Sequence, residues 1–364
     1  MRVLIIEPFP GARWRSIARY AQGIDTALRA AGASVQRVQA PWWNPPSLLA
    51  GIARQWHRSP QVREALTGNV DLVHIVDQAL GHHARRFAGL VPTAVTVHDL
   101  LSQTLPAYYR GPAAPLKRLL IRKPLRSLPV AHLLVTPSQF TARELANFPN
   151  IDPRRIVTVP SPLDPAFVPI DRTEARARLA RRGIALPNRP LILSVGHTGR
   201  YKNLPALLAA MERPPLASAT LVRVGPYLAP RRFPSARTLS HRARLIELGA
   251  VEDHVLRELY AAADVLAQPS LAEGFGYPVL EAMAMGLPVV TSDGGALPEI
   301  VEDAGLLVPL AANDFPGALA AALGRVLSEP SLADSMRVQG RKRAAAFAPE
   351  VTGRRLLAAY TSMA

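Results

Sequence analysis

Short, continuously apolar runs alternate along this chain with stretches whose apolar residues recur at helical spacing, and nothing else restricts the possible folds as strongly. In the first half the runs lie at 2–7, 35–38, 70–76, 94–98, 133–136 and 156–159. Segment 17–31 has helical periodicity and stops at Gly32, and Ser138 is placed to cap a helix running to Asn147. The second half repeats the scheme, with strands at 190–195, 220–224, 245–248, 265–268 and 289–291. Helices are expected there at 171–182, 204–211, 254–263, 279–285, 318–328 and 331–346, and a last one at 351–360. Strands separated by helices form parallel sheets covered on both faces. A chain of 364 residues is long for one core, and 160–172, with Pro160, Pro162, Pro165 and Pro169, is the natural joint. The expectation is an α/β protein of two Rossmann-like, doubly wound domains, 1–165 and 166–347, followed by a last helix within 348–364. Such sheets bind ligands beyond the carboxyl ends of their strands, so two domains facing each other would define a central cleft.

The most informative chemistry lies in residues 270–290, SLAEGFGYPVLEAMAMGLPVV. Glu273 and Glu281 stand eight positions apart around Gly274, Phe275, Gly276, Tyr277, Pro278 and Val279. Pro278 suits the start of a helix, where its fixed φ fits and its missing N–H would be unpaired anyway. Gly286 then ends that helix. One glutamate therefore belongs to the loop before the helix and the other to its first turns. Backbone amides at the positive end of a helix dipole are a seat for a phosphate-bearing ligand, and a carboxylate on each side can accept from sugar hydroxyls. Either glutamate alone has an ordinary explanation, as a dipole partner or a solvated loop residue. Their combination with the Gly-Phe-Gly turn and the proline suits a sugar nucleotide.

A second candidate is LILSVGHTGRYKNLPALL, which runs from a strand into Gly196, then Arg200, Lys202 and Asn203, then a helix. A strand–glycine–loop–helix carrying two cations can hold a diphosphate. Breaking a glycosyl–phosphate bond puts negative charge on the leaving oxygens, which fixed cations and amides stabilise. The sequence contains no Asp-rich or Asp-x-Asp metal site. His98 follows the apolar AVTV and precedes Asp99; a lone histidine at a strand end is more often an ordinary polar residue.

Taken together, these segments resemble the retaining glycosyltransferases of the GT-B fold, in the large group 1 family marked by two glutamates separated by seven residues. The resemblance continues through Thr291, Ser292, Gly295, Pro298 and Glu299, and upstream through LGAVEDHVLRELYAAADVLAQPS. It covers most of the C-terminal half and is thinner in the N-terminal half. The resemblance implies a nucleoside diphosphate sugar as donor, with no resident cofactor and no metal. It places Glu281 on the nucleoside ribose and Glu273 on the sugar hydroxyls. Gly274, Phe275, Gly276, Tyr277 and Val279 would line the donor, and Arg200 and Lys202, with Gly196 and Asn203, would hold its diphosphate. The arginine that ordinarily precedes the lysine is replaced by Tyr201, with Arg200 one place earlier.

The tract TVHDLLSQTLPAYY is similar to the His-Asp segment of mannosyltransferase-like members. That likeness implies that His98 touches the donor sugar near the reacting carbon and that Asp99 helps orient the acceptor. It inclines the reading towards mannose, with GDP-mannose as donor, although these residues fix neither base nor sugar. Ser16, Arg19 and Tyr20 match the register of the acceptor-side helix start, but Ser16 and Ala18 stand where relatives carry glycines, and Gly11 remains. Side chains there would crowd a close backbone approach. In this fold the last helix crosses back to the first domain.

The formal charge of +16 is concentrated near the N-terminus: 20 basic and 9 acidic residues precede position 166. Within 110–126, Arg110, Lys117, Arg118, Arg122, Lys123 and Arg126 alternate with leucines, which suits a basic element lying on anionic lipid or a solvated helix. Trp14, Trp42, Trp43 and Trp56 also belong to the first half. The lipid reading would make the acceptor a lipid-linked saccharide; otherwise it is a glycan. Zero cysteines exclude disulfides and thiolate catalysis and fit a reducing cytoplasm. No apolar run reaches the roughly 18 residues of a membrane span. The expected place is the cytoplasm, at the inner face of the membrane if 110–126 binds it. A sugar-nucleotide epimerase or a glycosyl phosphorylase would keep the fold and change the reaction. A non-catalytic sugar-nucleotide binder remains open, whereas a nucleic-acid-binding protein lacks any recognition motif.

Overall fold

A computed structural model of the chain describes residues 1–8, 15–40, 67, 69–105, 125–229 and 231–363. Its contacts divide it into two compact units, Met1–Asp164 with Phe347–Ala364, and Pro165–Ala346. The basic segment 110–126, apart from its last two residues, lies outside the described residues, as do Gly11, Trp14, Trp42, Trp43 and Trp56.

The first unit is built on strands β1 (Arg2–Pro8), β2 (Ser34–Ala40), β3 (Leu72–Ile75), β4 (Thr93–Thr96), β5 (Leu133–Thr136) and β6 (Ile156–Thr158). They form one parallel sheet in the order β2-β1-β3-β4-β5-β6. Helix α1 (Arg15–Ala30) links β1 to β2, and α2 (Gln139–Ala146) links β5 to β6. Ser138 caps α2 as its position predicts, its side chain accepting from the Thr141 N–H at 3.1 Å. Leu4, Ile6, Val73, Ile75, Val95 and Leu134 share one core with Phe87, Leu128 and Leu145. Each such buried side chain contributes roughly 2 kcal/mol over an exposed one. The C-terminal helix, Pro349–Thr361, packs on α1. Gly353 makes that approach possible, because a Cβ there would overlap the Ala27 carbonyl oxygen.

The second unit contains β7 (Leu191–Val195), β8 (Thr220–Val224), β9 (Leu245–Glu247), β10 (Val265–Gln268), β11 (Val289–Ser292) and β12 (Leu306–Val308). Its parallel order is β12-β11-β10-β7-β8-β9, so the winding direction reverses between β7 and β10. Helices α3 (Arg172–Arg181), α4 (Leu204–Met211), α5 (Pro234–His241), α6 (Asp253–Ala262), α7 (Tyr277–Ala284), α8 (Leu297–Val301), α9 (Phe315–Ser328) and α10 (Pro330–Ala345) connect or flank these strands. Asp171 caps α3 by accepting from the Glu174 N–H at 2.9 Å. Leu204, Leu207, Met211, Leu221, Val265, Leu319 and Leu323 fill the core.

In the second unit two α-helices and one strand were not expected from the sequence. Helix α8 is a single turn, too short to display a period, and β12 is a three-residue strand at a sheet edge. Helix α5, PSARTLSH, buries only Ala236 and Leu239, which leaves no apolar stripe to recognise. Among the described residues no helix is long and apolar enough to cross a membrane.

Candidate functional site

The reversal of winding between β7 and β10 leaves the carboxyl ends of those strands side by side, the place where open parallel sheets receive ligands. From β7 the chain turns at Gly196, whose φ of +139° is accessible to glycine, and reaches Lys202 and Asn203. Asn203 starts α4 from a left-handed conformation (φ +51°), which asparagine tolerates better than most residues. From β10 the chain passes Gln268 and Ser270 to Glu273. The two loops are joined by a backbone bond from Leu271 N–H to the Tyr201 carbonyl at 2.6 Å.

At this junction the Lys202 ammonium donates to Glu273 Oε1 at 2.7 Å, with both side chains about nine-tenths buried (11 and 10% exposed). The same oxygen accepts from Gln268 Nε2 at 2.7 Å and from the Ser270 hydroxyl at 2.6 Å. Three donors on one oxygen fix the carboxylate, while Oε2 makes no hydrogen bond among the described residues. An oriented carboxylate with one oxygen still able to accept is what sugar hydroxyls require. Backbone packing holds the loop in place. Ala296 N–H donates to the Glu273 carbonyl at 2.9 Å, and a Cβ on Gly295 would lie 2.5 Å from the Glu273 backbone.

Gly276, at φ +114°, opens α7, with Tyr277 and Pro278 in its first turn and Gly286 (φ +73°) just beyond its end. Phe275 is buried and meets the Tyr277 ring edge-on at 5.2 Å; Gly274 and Val279 are also buried. Glu281, 2% exposed, accepts from the Tyr260 hydroxyl of α6 at 2.8 Å. The two glutamates thus use different partners: Glu273 gathers with Lys202, Gln268 and Ser270, and Glu281 bonds to Tyr260. Arg200 is exposed and pairs with no carboxylate among the described residues. Burial lowers the pKa of the neighbouring His197, and Lys202 and Arg223 push it the same way.

In the first unit His98 follows β4. Its Nε2 lies 2.8 Å from the Val76 carbonyl, which can only accept, so Nε2 carries the proton and Nδ1 is the lone-pair nitrogen of the neutral ring. Burial lowers its pKa, opposed by the Val76 carbonyl and by Asp99. Gln78 clamps this peptide, accepting from His98 N–H and donating to the Asp99 carbonyl, both at 3.0 Å. Asp99 itself accepts from Leu101 N–H at 3.0 Å. The Tyr20 ring stands edge-on to His98 at 4.6 Å.

Tyr20 is 1% exposed, and its hydroxyl is 2.8 Å from Thr96 Oγ1, so it supports His98 from inside the unit. Thr96 also contacts His74 Nε2 at 2.7 Å, and His74 Nδ1 contacts the Tyr360 hydroxyl at 2.7 Å. Burial, with a smaller contribution from His98, drives the His74 pKa down to about 3. On α1, Ser16 is exposed and Arg19 half-buried.

Gln268, Ser270, Tyr260, His74, Thr96 and Tyr360 are absent from the sequence-based set. Gln268 and His74 carried a usable signal, since each is a polar residue within a strand otherwise apolar on both faces. An open concavity of 460 Å³ in the second unit, lined in part by Arg172, Arg176, Arg189 and Asp264, includes none of the candidate residues. Two of its cations are already committed, Arg172 to Asp264 and Arg176 to backbone carbonyls. Among the described residues no group of three or more His, Asp or Glu side chains has the spacing of a metal site.

The fold so defined is that of the GT-B proteins: two parallel six-stranded sheets flanked by helices. Sucrose-phosphate synthase from Thermosynechococcus elongatus matches with a TM-score of 0.78 at 23% identity, covering 100% of this chain and 99% of its own. Anabaena HepE, solved with UDP, matches at 0.74 and 19% identity over the whole of both chains. Residues 189–329 match the model of the glycosyl transferases group 1, and residues 17–167 that of glycosyltransferase family 4. The D-inositol 3-phosphate glycosyltransferase of Salinispora tropica is 31% identical over 339 residues, which is 86% of this chain and 68% of that protein. The chain belongs to the group 1 glycosyltransferases. The Geodermatophilus obscurus protein of the same description is 36% identical over 64% of this chain, and the Escherichia coli mannosyltransferase WbdA 28% over 59%. These two matches span 53% and 28% of the relatives' own lengths.

Proposed function

We propose that this protein transfers a sugar from a nucleoside diphosphate donor to a hydroxyl of a glycan or lipid-linked saccharide, retaining the anomeric configuration and using no metal. The observation that carries the reading is the buried Lys202–Glu273 pair at the carboxyl ends of β7 and β10. Lys202 and Arg200 take the diphosphate, and Glu273 Oε2 takes the sugar hydroxyls. Glu281 takes the ribose, exchanging or sharing its Tyr260 bond. The glycosidic C–O bond breaks with its electron pair going to the diphosphate, whose charge the cations compensate. The acceptor oxygen bonds the same carbon and yields its proton to the departing phosphate. We assign the sugar-side and acceptor roles of the first unit to His98 and Asp99, with Ser16 and Arg19 on the acceptor side. The basic segment 110–126 is the proposed contact with anionic lipid.

The relatives support a nucleotide sugar without fixing it: HepE was solved with UDP and with UDP-glucose, and WbdA is named as a mannosyltransferase. The His98-Asp99 tract favours mannose, which makes GDP-mannose the first donor to test. The experiment is a thermal-shift screen of sugar nucleotides and nucleoside diphosphates on the whole chain, followed by mass detection of the acceptor product. A ligand that binds only the folded state raises the melting temperature with its concentration and affinity. The reading expects a shift with one sugar nucleotide and its diphosphate, and loss of turnover with retained folding in Glu273→Ala. Absence of any nucleotide-dependent shift would overturn it.

A further inference from the structure

Arg223 interrupts the apolar strand β8 and is 1% exposed, so its charge has been taken almost wholly out of water. Its Nη2 donates to the Gly196 carbonyl at 2.9 Å and reaches the Pro226 carbonyl at 3.5 Å. Among the described residues Nε and Nη1, both buried, make no hydrogen bond and the guanidinium has no ion-pair partner. Glu247, its register neighbour on β9, acts on it only from a distance, its Oε1 accepting from the Leu228 N–H at 2.7 Å. Burial lowers the guanidinium pKa to about 10, which still leaves it charged at neutral pH. A buried charge without a counter-ion is costly, and such a residue is rarely kept for stability alone.

Its position says what the counter-ion is. A Cβ on Gly196 would meet Lys202 Cε at 3.4 Å and Nζ at 3.5 Å, while the Gly196 carbonyl holds Arg223, so this one peptide touches two cations. The Gly196 N–H is already given to the Val224 carbonyl at 2.9 Å and cannot serve a phosphate. Gly225, at φ +131°, has no room for a Cβ, which would overlap the Gly196 carbonyl oxygen. Two glycines thus bring the ends of β7 and β8 together over a guanidinium whose remaining donors are unsatisfied.

We propose that Arg223 is a positioning residue for the donor diphosphate: it occupies the Gly196 carbonyl and places a fixed positive charge beneath the Gly196–Lys202 loop, a charge the bound diphosphate compensates. The inference rests on the donor-site reading above and adds to it a residue outside the loop itself. Arg223 acts through the loop and through its field, without touching the ligand.

The test compares the wild-type chain with Arg223→Met and Arg223→Lys, using UDP, GDP and ADP as probes and uridine, guanosine and adenosine as phosphate-free controls, by calorimetry and thermal shift. Arg223→Met is expected to melt no lower than wild type without ligand, because it removes an uncompensated buried charge. Its affinity for the preferred diphosphate should fall on the order of tenfold, the size of one partly screened charge interaction, with nucleoside affinity unchanged. Arg223→Lys should recover most of the diphosphate affinity. Equal diphosphate affinity in Arg223→Met and wild type would overturn the inference, as would a lowered melting point with diphosphate and nucleoside weakened alike. Failure of the wild-type chain to bind any of the three diphosphates would overturn the donor-site reading and this inference with it.

Discussion

The Lys202–Glu273 contact makes a prediction about stability that is independent of any ligand. Both side chains are about nine-tenths buried and their charges are 2.7 Å apart. Replacing Lys202 by methionine leaves a carboxylate held by two neutral donors, Gln268 and Ser270, in a site with little water to compensate it. Removing one member of a buried pair ordinarily costs about 3–5 kcal/mol, and the slight exposure here places the loss near the lower end. Glu273→Gln leaves the ammonium as the unpaired charge and should cost a similar amount. The double variant has neither charge, and the amide oxygen at 273 can still accept from Gln268 and Ser270, so its loss should be only about 1 kcal/mol. For a unit of this size each kcal/mol corresponds to roughly 2–4 °C in melting temperature. Each single variant should therefore melt roughly 6–12 °C lower and the double variant only a few degrees lower, in ligand-free calorimetry. Such non-additivity is the signature of direct coupling. A double variant that loses the sum of the two single effects would refute the argument, because the charges would then be compensated separately.

Three further outcomes follow from a buried histidine and two glycines. His74 titrates near 3 in the folded chain, against about 6.5 unfolded, so below pH 6.5 the unfolded state binds more protons and stability falls, by about 2 kcal/mol at pH 5. His74→Gln lacks this component, and the gap between its melting temperature and that of wild type should narrow from pH 7 to pH 5; parallel profiles would contradict the buried neutral ring. Gly225→Ala should cost roughly 3 kcal/mol or more and abolish diphosphate binding, since the methyl group would overlap the Gly196 carbonyl. Gly32→Ala, at φ +89° with no atom within 4 Å of the added Cβ, should cost only about 1 kcal/mol and leave binding intact.

Much of the fold is written locally. The strands 133–136, 220–224 and 265–268 are found where the apolar runs put them, because a strand buried on both faces needs a largely apolar stretch, and the helix 204–211 lies where helical spacing put it. The elements that escaped, α5, α8 and β12, are short or lack an apolar face, so tertiary contacts define them. The site divides along the same line. Lys202, Glu273, Glu281 and the glycines at 196 and 276 are marked by spacing and by turns that only particular residues can make. Their partners are set by what the sheet brings alongside, so Tyr260, Ser270 and Tyr360 left no local trace. Arg223, Gln268 and His74 occupy the middle ground. Each is a polar interruption of an apolar strand, at TLVRV, VLAQ and LVHI, and each has a hydrogen-bonded partner at or beside a candidate residue.

In the proposed reaction the phosphates of a sugar nucleotide lie between Lys202 and the first turn of α7. The most direct measurement is a crystal structure of the full chain with the nucleoside diphosphate that raises its melting temperature most. The prediction is diphosphate oxygens within hydrogen-bond distance of the Lys202 ammonium, ribose hydroxyls on Glu281, and Glu273 Oε2 open towards the place of the sugar. A nucleotide bound elsewhere, with the Lys202–Glu273 contact undisturbed and no ligand atom near either residue, would contradict it.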